Sequence, residues 1–100
     1  MIRHIVLWKC KEFAEGNDKN TNMDIVIQEL EEIKKEFPPL KFLECHKGIR
    51  SGAHFYDLIL IMEFESLDDL QAYQVYPRHA KLHEFAVNVR EARAVCDYQL

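Results

Sequence analysis

The chain has only three cysteines, three glycines and three prolines in 100 residues. Cys10, Cys45 and Cys96 are odd in number and far apart, and they form no C-x-x-C pair. That excludes a disulfide framework and a zinc site. They read as reduced thiols packed on strands as small hydrophobes. So little glycine and proline leaves no low-complexity linker, and no internal repeat is visible. The chain is expected to be one domain, residues 1–100. No apolar run approaches the ~18 residues of a membrane-crossing helix. No basic segment leads into an apolar stretch of the kind a secretion signal needs. The expected setting is cytoplasmic, without a membrane partner. An excess of positive charge is missing too: 13 Lys and Arg against 17 Asp and Glu give a net charge of −4. Gripping phosphate backbones needs clustered cations, so nucleic acid is not an expected partner. A Gly-rich phosphate loop, a Ser-His-Asp set and a setting for a nucleophilic cysteine are also absent, and no cofactor is implied.

What is present is an ordinary globular balance, 48% hydrophobic and 30% charged, which excludes a disordered chain. Residues Ile2-Arg3-His4-Ile5-Val6-Leu7-Trp8 read as a strand. Side chains alternate along it, so Ile2, His4, Val6 and Trp8 share one face, and Ile5 and Leu7 the other. A strand apolar on both faces belongs in the middle of a covered sheet. His4 is then a titratable ring in an apolar layer, the sort of group that gathers in functional pockets.

Gly16-Asn17-Asp18 marks a loop. Thr21 precedes Asp24 by three, a capping-box pattern that predicts a helix over 22–36. Met23, Val26, Ile27, Leu30, Ile33 and Phe37 form its apolar stripe, and Phe37-Pro38-Pro39 ends it. Leu40 to Arg50 reads as a half-exposed strand and Phe55 to Phe64 as a central one. Ser66-Leu67-Asp68-Asp69 caps a short helix with Leu67, Leu70 and Tyr73 inward. Pro77 suits the first turn of a helix over 78–89, with Leu82, Phe85, Ala86 and Val89 inward. Arg90 to Tyr98 is the last strand. The order β-α-β-β-α-β predicts an α+β, ferredoxin-like antiparallel sheet with helices on one face. The second face needs a cover. We expect Val6, Trp8, Leu60 and Met62 on that open face. The simplest cover is a second copy, giving a homodimer with a barrel-like interior.

At this level the chain resembles the stress-responsive dimeric α/β-barrel (Dabb) family over essentially its whole length. The matching pieces are Ile2-Arg3-His4-Ile5-Val6-Leu7, Tyr56-Asp57-Leu58 and Phe64-Glu65-Ser66. Tyr73-Gln74-Val75-Tyr76-Pro77-Arg78-His79 and Asp97-Tyr98 complete the set. Each piece is weak alone; the set is fairly specific. Family members include stress-induced plant proteins and a polyketide cyclase that forms olivetolic acid by an intramolecular aldol condensation. The cyclase's pocket histidines and tyrosine correspond to His4, Tyr73 and His79. It has a further pocket histidine where this chain carries Leu58. The resemblance thus implies a ligand pocket lined by His4, Trp8, Leu58, Tyr73 and His79.

Two readings of these residues stand side by side. In one, His79 and Tyr73 tie the Pro77 turn to the first strand through hydrogen bonds, since buried polar groups must be satisfied. In the other they face a ligand. A neutral imidazole takes a proton at cellular pH, and a buried phenol donates to a developing oxyanion. The function is then either binding of a small hydrophobic molecule without catalysis, or a cofactor-free lyase or cyclase with His79 as base, Tyr73 as donor and His4 beside them. His79 and His83 are spaced i, i+4, but no carboxylate completes a metal set such as H-E-x-x-H, and no metal is expected.

Overall fold

The structure is a computed structural model describing residues 1–100. Strand β1 (Ile2–Cys10) opens the chain. A two-residue turn at Glu15 and Gly16 then joins β2 (Phe13–Ala14) to β3 (Asn17–Asp18). Both turn residues have positive φ, 53° and 75°, as a type I′ hairpin requires, and Gly16 takes this without steric cost. The sequence marked this segment only as a loop. The buried Asn22 side chain donates to Ala14 O and accepts from Asn17, tying the hairpin to the following helix.

Helix α1 (Lys19–Glu36) begins three residues before the expected start. Its cap is Asp18, whose carboxylate accepts from Thr21 N at 2.8 Å, so Thr21 lies inside the first turn. Strands β4 (Phe42–Lys47) and β5 (Leu58–Phe64) follow, both shorter than expected. Before β5 the chain bends through Asp57, whose N–H donates to Trp8 O and whose carboxylate accepts from Cys10 N. Helix α2 (Leu67–Gln74) is capped by Ser66 Oγ, as the sequence indicated. Leu70 and Tyr73 are buried, but Leu67, the first helical residue, points to solvent. Helix α3 (Pro77–Val89) starts on Pro77 and runs directly into β6 (Arg90–Gln99).

The main sheet has the order β4-β5-β1-β6, every pair antiparallel, with the two long apolar strands central. This is the ferredoxin-like α+β arrangement. Residues 1 and 100 adjoin at one corner, where Leu100 N and Gln99 Nε2 both donate to Met1 O at 2.9 Å.

One expectation is reversed. Cross-strand pairing places His4 opposite Met62, Val6 opposite Leu60 and Trp8 opposite Leu58, and all six are buried under the helices. The open face instead carries Ile5, Leu7, Ile59 and Ile61, all half-buried, with the Arg3–Glu63 ion pair at one end. Two equally apolar faces do not announce which one the helices cover. Charge did: Arg3, Lys9 and Glu63 alternate in step with Ile5, Leu7, Ile59 and Ile61, and charged groups stay where water reaches. A glutamate at Trp8 would therefore disrupt the core, not an interface between copies.

Candidate functional site: a histidine-lined cavity beneath the helices

A cavity of about 40 Å³ lies between the central strands and the helices. That volume holds a few waters, at roughly 10–15 Å³ each. Val6, Leu60 and Met62 form its floor, and Val26, Leu30, Leu82 and Ala86 its roof. His4, Trp8, Tyr73 and His79, singled out in the sequence, all line it. Leu58 does not. It packs in the core beside Trp8, one cross-strand step away. His83, Arg90 and Arg93 complete the lining, and the sequence reading gave none of these three a role there.

His4 is 3% exposed, and its Nδ1 meets Asp97 Oδ1 at 2.5 Å. An ionised carboxylate only accepts, so Nδ1 carries the proton and Nε2 is the basic nitrogen. The partners are 93 residues apart, joined by the β1–β6 register that sets His4 opposite Asp97. Asp97 belongs to the Asp97-Tyr98 piece of the resemblance, but only the register reveals its task.

His79 sits in the first turn of α3. Its Nδ1 donates to Gln74 O at 3.1 Å, so its Nε2 is also the nitrogen left to accept. This bond ties the start of α3 to the end of α2, not to the first strand as one reading expected, and it occupies only one side of the ring. Burial holds the His79 pKa below the ordinary histidine value. The Gln74 hydrogen bond works against this, and the nearby His83, His4 and Arg93 add to the lowering. The ring is therefore neutral at neutral pH.

Tyr73 packs its ring against His79, 4.3 Å between centroids, and against Phe64 at 5.3 Å. Burial, and the neighbouring Cys45, raise its pKa far above the usual phenol value, so the hydroxyl stays protonated as a donor. Trp8 is 5% exposed, and its Nε1 is buried without a hydrogen-bond partner in the protein. Such a group costs about 1–3 kcal/mol unless a guest accepts from it. Tryptophan N–H, tyrosine O–H and two imidazoles thus belong to residues that line one apolar chamber, with His4 and Trp8 on either side of Val6 along β1.

Other chemistries find no support in the geometry. Burial pushes the Cys10 thiol to about 11 and the Cys45 thiol to about 12, which leaves both un-ionised and unreactive. No three side chains of His, Cys, Asp or Glu converge to hold a metal ion. No helix is long and apolar enough to cross a membrane.

A helix-covered antiparallel sheet of order β4-β5-β1-β6, with a small imidazole-lined cavity between its layers, defines a ferredoxin-like α+β protein. The chain belongs to the Stress responsive A/B Barrel Domain family (Dabb), which matches residues 2–100. No curated protein matches it. Among solved structures, a dimeric protein of unknown function from Bacteroides fragilis superposes with a TM-score of 0.86 at 24% identity, covering 99% of this chain and 95% of that one. A dimeric ferredoxin-like protein from Thermobifida fusca gives 0.82 at 22%, covering 99% and 90%. A hydroxynitrile lyase from Passiflora edulis gives 0.78 at 18%, covering 99% and 92%. At such identities the likeness establishes the fold.

Proposed function

We propose that the chain is a homodimer in which each protomer binds a small, largely apolar molecule with one polar end, held in the cavity beneath its helices. The observation that carries this is the unpartnered Trp8 N–H. Trp8 lines an apolar chamber together with Tyr73, His4 and His79, so its N–H stands free for a guest among side chains that themselves carry donors and acceptors. The dimer rests on the uncovered strip of Ile5, Leu7, Ile59 and Ile61, and on similar structures described as dimeric. Native mass spectrometry of freshly purified protein tests the binding. A non-covalent small molecule should accompany the chain, and Ala86→Leu, which fills the cavity, should lose it while the fold is kept. A bare mass in every preparation, with Trp8 fluorescence unmoved by a panel of small apolar alcohols and acids, would refute binding.

A second reading is cofactor-free proton transfer. The specific observation in its favour is that both imidazoles have Nδ1 fixed on an acceptor, so each presents Nε2 as the basic nitrogen. One similar structure is a hydroxynitrile lyase. In this reading His79 Nε2 takes a proton from carbon beside a carbonyl. Tyr73 O–H donates to the oxygen where charge develops, and the proton returns from His79. Exchange of the protons of acetone in heavy water, followed by NMR, tests it. The protein should accelerate exchange, and His79→Gln should abolish that acceleration with melting little changed. Equal exchange with and without protein would leave binding alone.

A further inference from the structure

Five of the thirteen Lys and Arg side chains are paired with a carboxylate, Lys35 with Glu32 and Lys47 with Asp24 among them. Arg3 is bound to Glu63, and Arg78 bridges Glu29 and Glu36. Lys19 reaches Glu12 and Asp57. Of the eight cations without a paired carboxylate, Arg90 and Arg93 are the two that line the cavity. Both lie at the start of β6. The chain carries four more acidic than basic residues, yet the cavity lining contains His4, His79, His83, Arg90 and Arg93 and no Asp or Glu.

Their placement is set by the β1–β6 register. Trp8 pairs with Arg93 and Cys10 with Arg90, and a register shift between Lys9 and Cys10 separates the two pairs. Such an irregularity re-aims the side chains beside it. The Arg90 guanidinium lies over the Trp8 ring, 5.2 Å from its centroid. Two like charges thus stand beside one buried tryptophan whose N–H has no partner in the protein. A guanidinium presents two parallel N–H groups that match the two oxygens of a carboxylate. A carboxylate here would neutralise the repulsion between Arg90 and Arg93, while its apolar remainder entered the chamber.

We infer that the molecule bound in this cavity carries a carboxylate, gripped at the mouth by Arg93 and Arg90 with its apolar end among Val6, Leu60, Met62 and Leu82. This rests on the ligand-binding reading of the cavity and names the class of ligand. Burial and the charge of Arg93 both lower the Arg90 pKa, in keeping with a cation that lacks its counter-ion. The charge of Arg93 is also felt at Tyr73 and at His79, which places it electrically within the same site.

The single tryptophan supplies the readout. Trp8 fluorescence is titrated with propionate, with propanol and with inorganic phosphate, and each titration is checked by the shift in Tm. Propionate should bind about tenfold tighter than propanol. Arg93→Gln and Arg90→Gln should each weaken propionate about tenfold and leave propanol unchanged. Added salt should weaken propionate alone. The inference is overturned if propionate and propanol bind alike, or if the doubly substituted protein binds propionate as well as the original. It is also overturned if phosphate competes as strongly as propionate, which would make the mouth a plain anion site. If propionate and propanol both fail to bind, the ligand-binding reading falls with it. If propanol alone binds, the pocket stands and only the carboxylate is refuted.

Discussion

His79 is a residue whose environment has a sign. Burial favours its neutral form, so its folded pKa lies below the unfolded value near 6.5. Between those two values the unfolded chain binds more protons than the folded one. The stability that His79 contributes is therefore complete above about pH 6.5 and is lost as pH falls toward the folded value. Urea denaturation from about pH 8 to about pH 5 should show stability dropping on acidification, and His79→Gln should flatten that drop. An unchanged slope would mean that the ring is as solvated as a free histidine. The identity of His4, Tyr73 and His79 as cavity residues was legible in the sequence, because the resemblance fixed their types and spacing. Their partners were not. Gln74 acts through a backbone carbonyl, which any residue type supplies, and Asp97 meets His4 only through a register that no local pattern encodes. Arg90 and Arg93 read as ordinary polar residues of a closing strand until pairing with β1 put them beside Trp8.

At the scale of elements, ends were harder to read than interiors. The apolar stripe of α1 was visible from Met23 onward, since Met23, Val26, Leu30 and Ile33 recur at helical spacing and are buried. Its first turn, Lys19 to Thr21, is polar throughout and carries no such signal. A capping box at Thr21 was the nearest pattern, but the hairpin delivers the chain to Asp18 in the extended conformation that a cap needs, so the helix starts there. This distinction is measurable. Asp18→Ala should lower Tm by roughly 4–8 °C, while Thr21→Ala should leave it nearly unchanged. The reverse order would restore Thr21 as the cap. Leu67 illustrates the same limit from the other side. Its spacing from Leu70 predicted burial, but at the first helical position its side chain has no turn beneath it and faces water.

For the whole molecule, two-sided apolarity in the central strands led to the expectation of a cover for the second face, but it did not say which residues lie there. Ile5 and Ile61 are direct cross-strand partners in the middle of that face. Ile61→Lys places a charge there without entering the helix-covered core. Sedimentation at micromolar concentration should find the unsubstituted protein at about twice 11.9 kDa and the variant near 11.9 kDa, still folded. A variant that sediments like the original would mean that this face is not the contact. The meeting of residues 1 and 100 has a different consequence. With Met1 O accepting from both Leu100 and Gln99, a short peptide bridge can join the two positions with no change of path. The backbone then becomes a closed loop, which can be reopened elsewhere. The exposed turn at Gly52-Ala53 takes no part in the main sheet and is the natural place to cut. The resulting circular permutant should keep every strand pairing and melt within a few degrees of the original, so the order in which a ribosome makes these strands is separable from the shape they form.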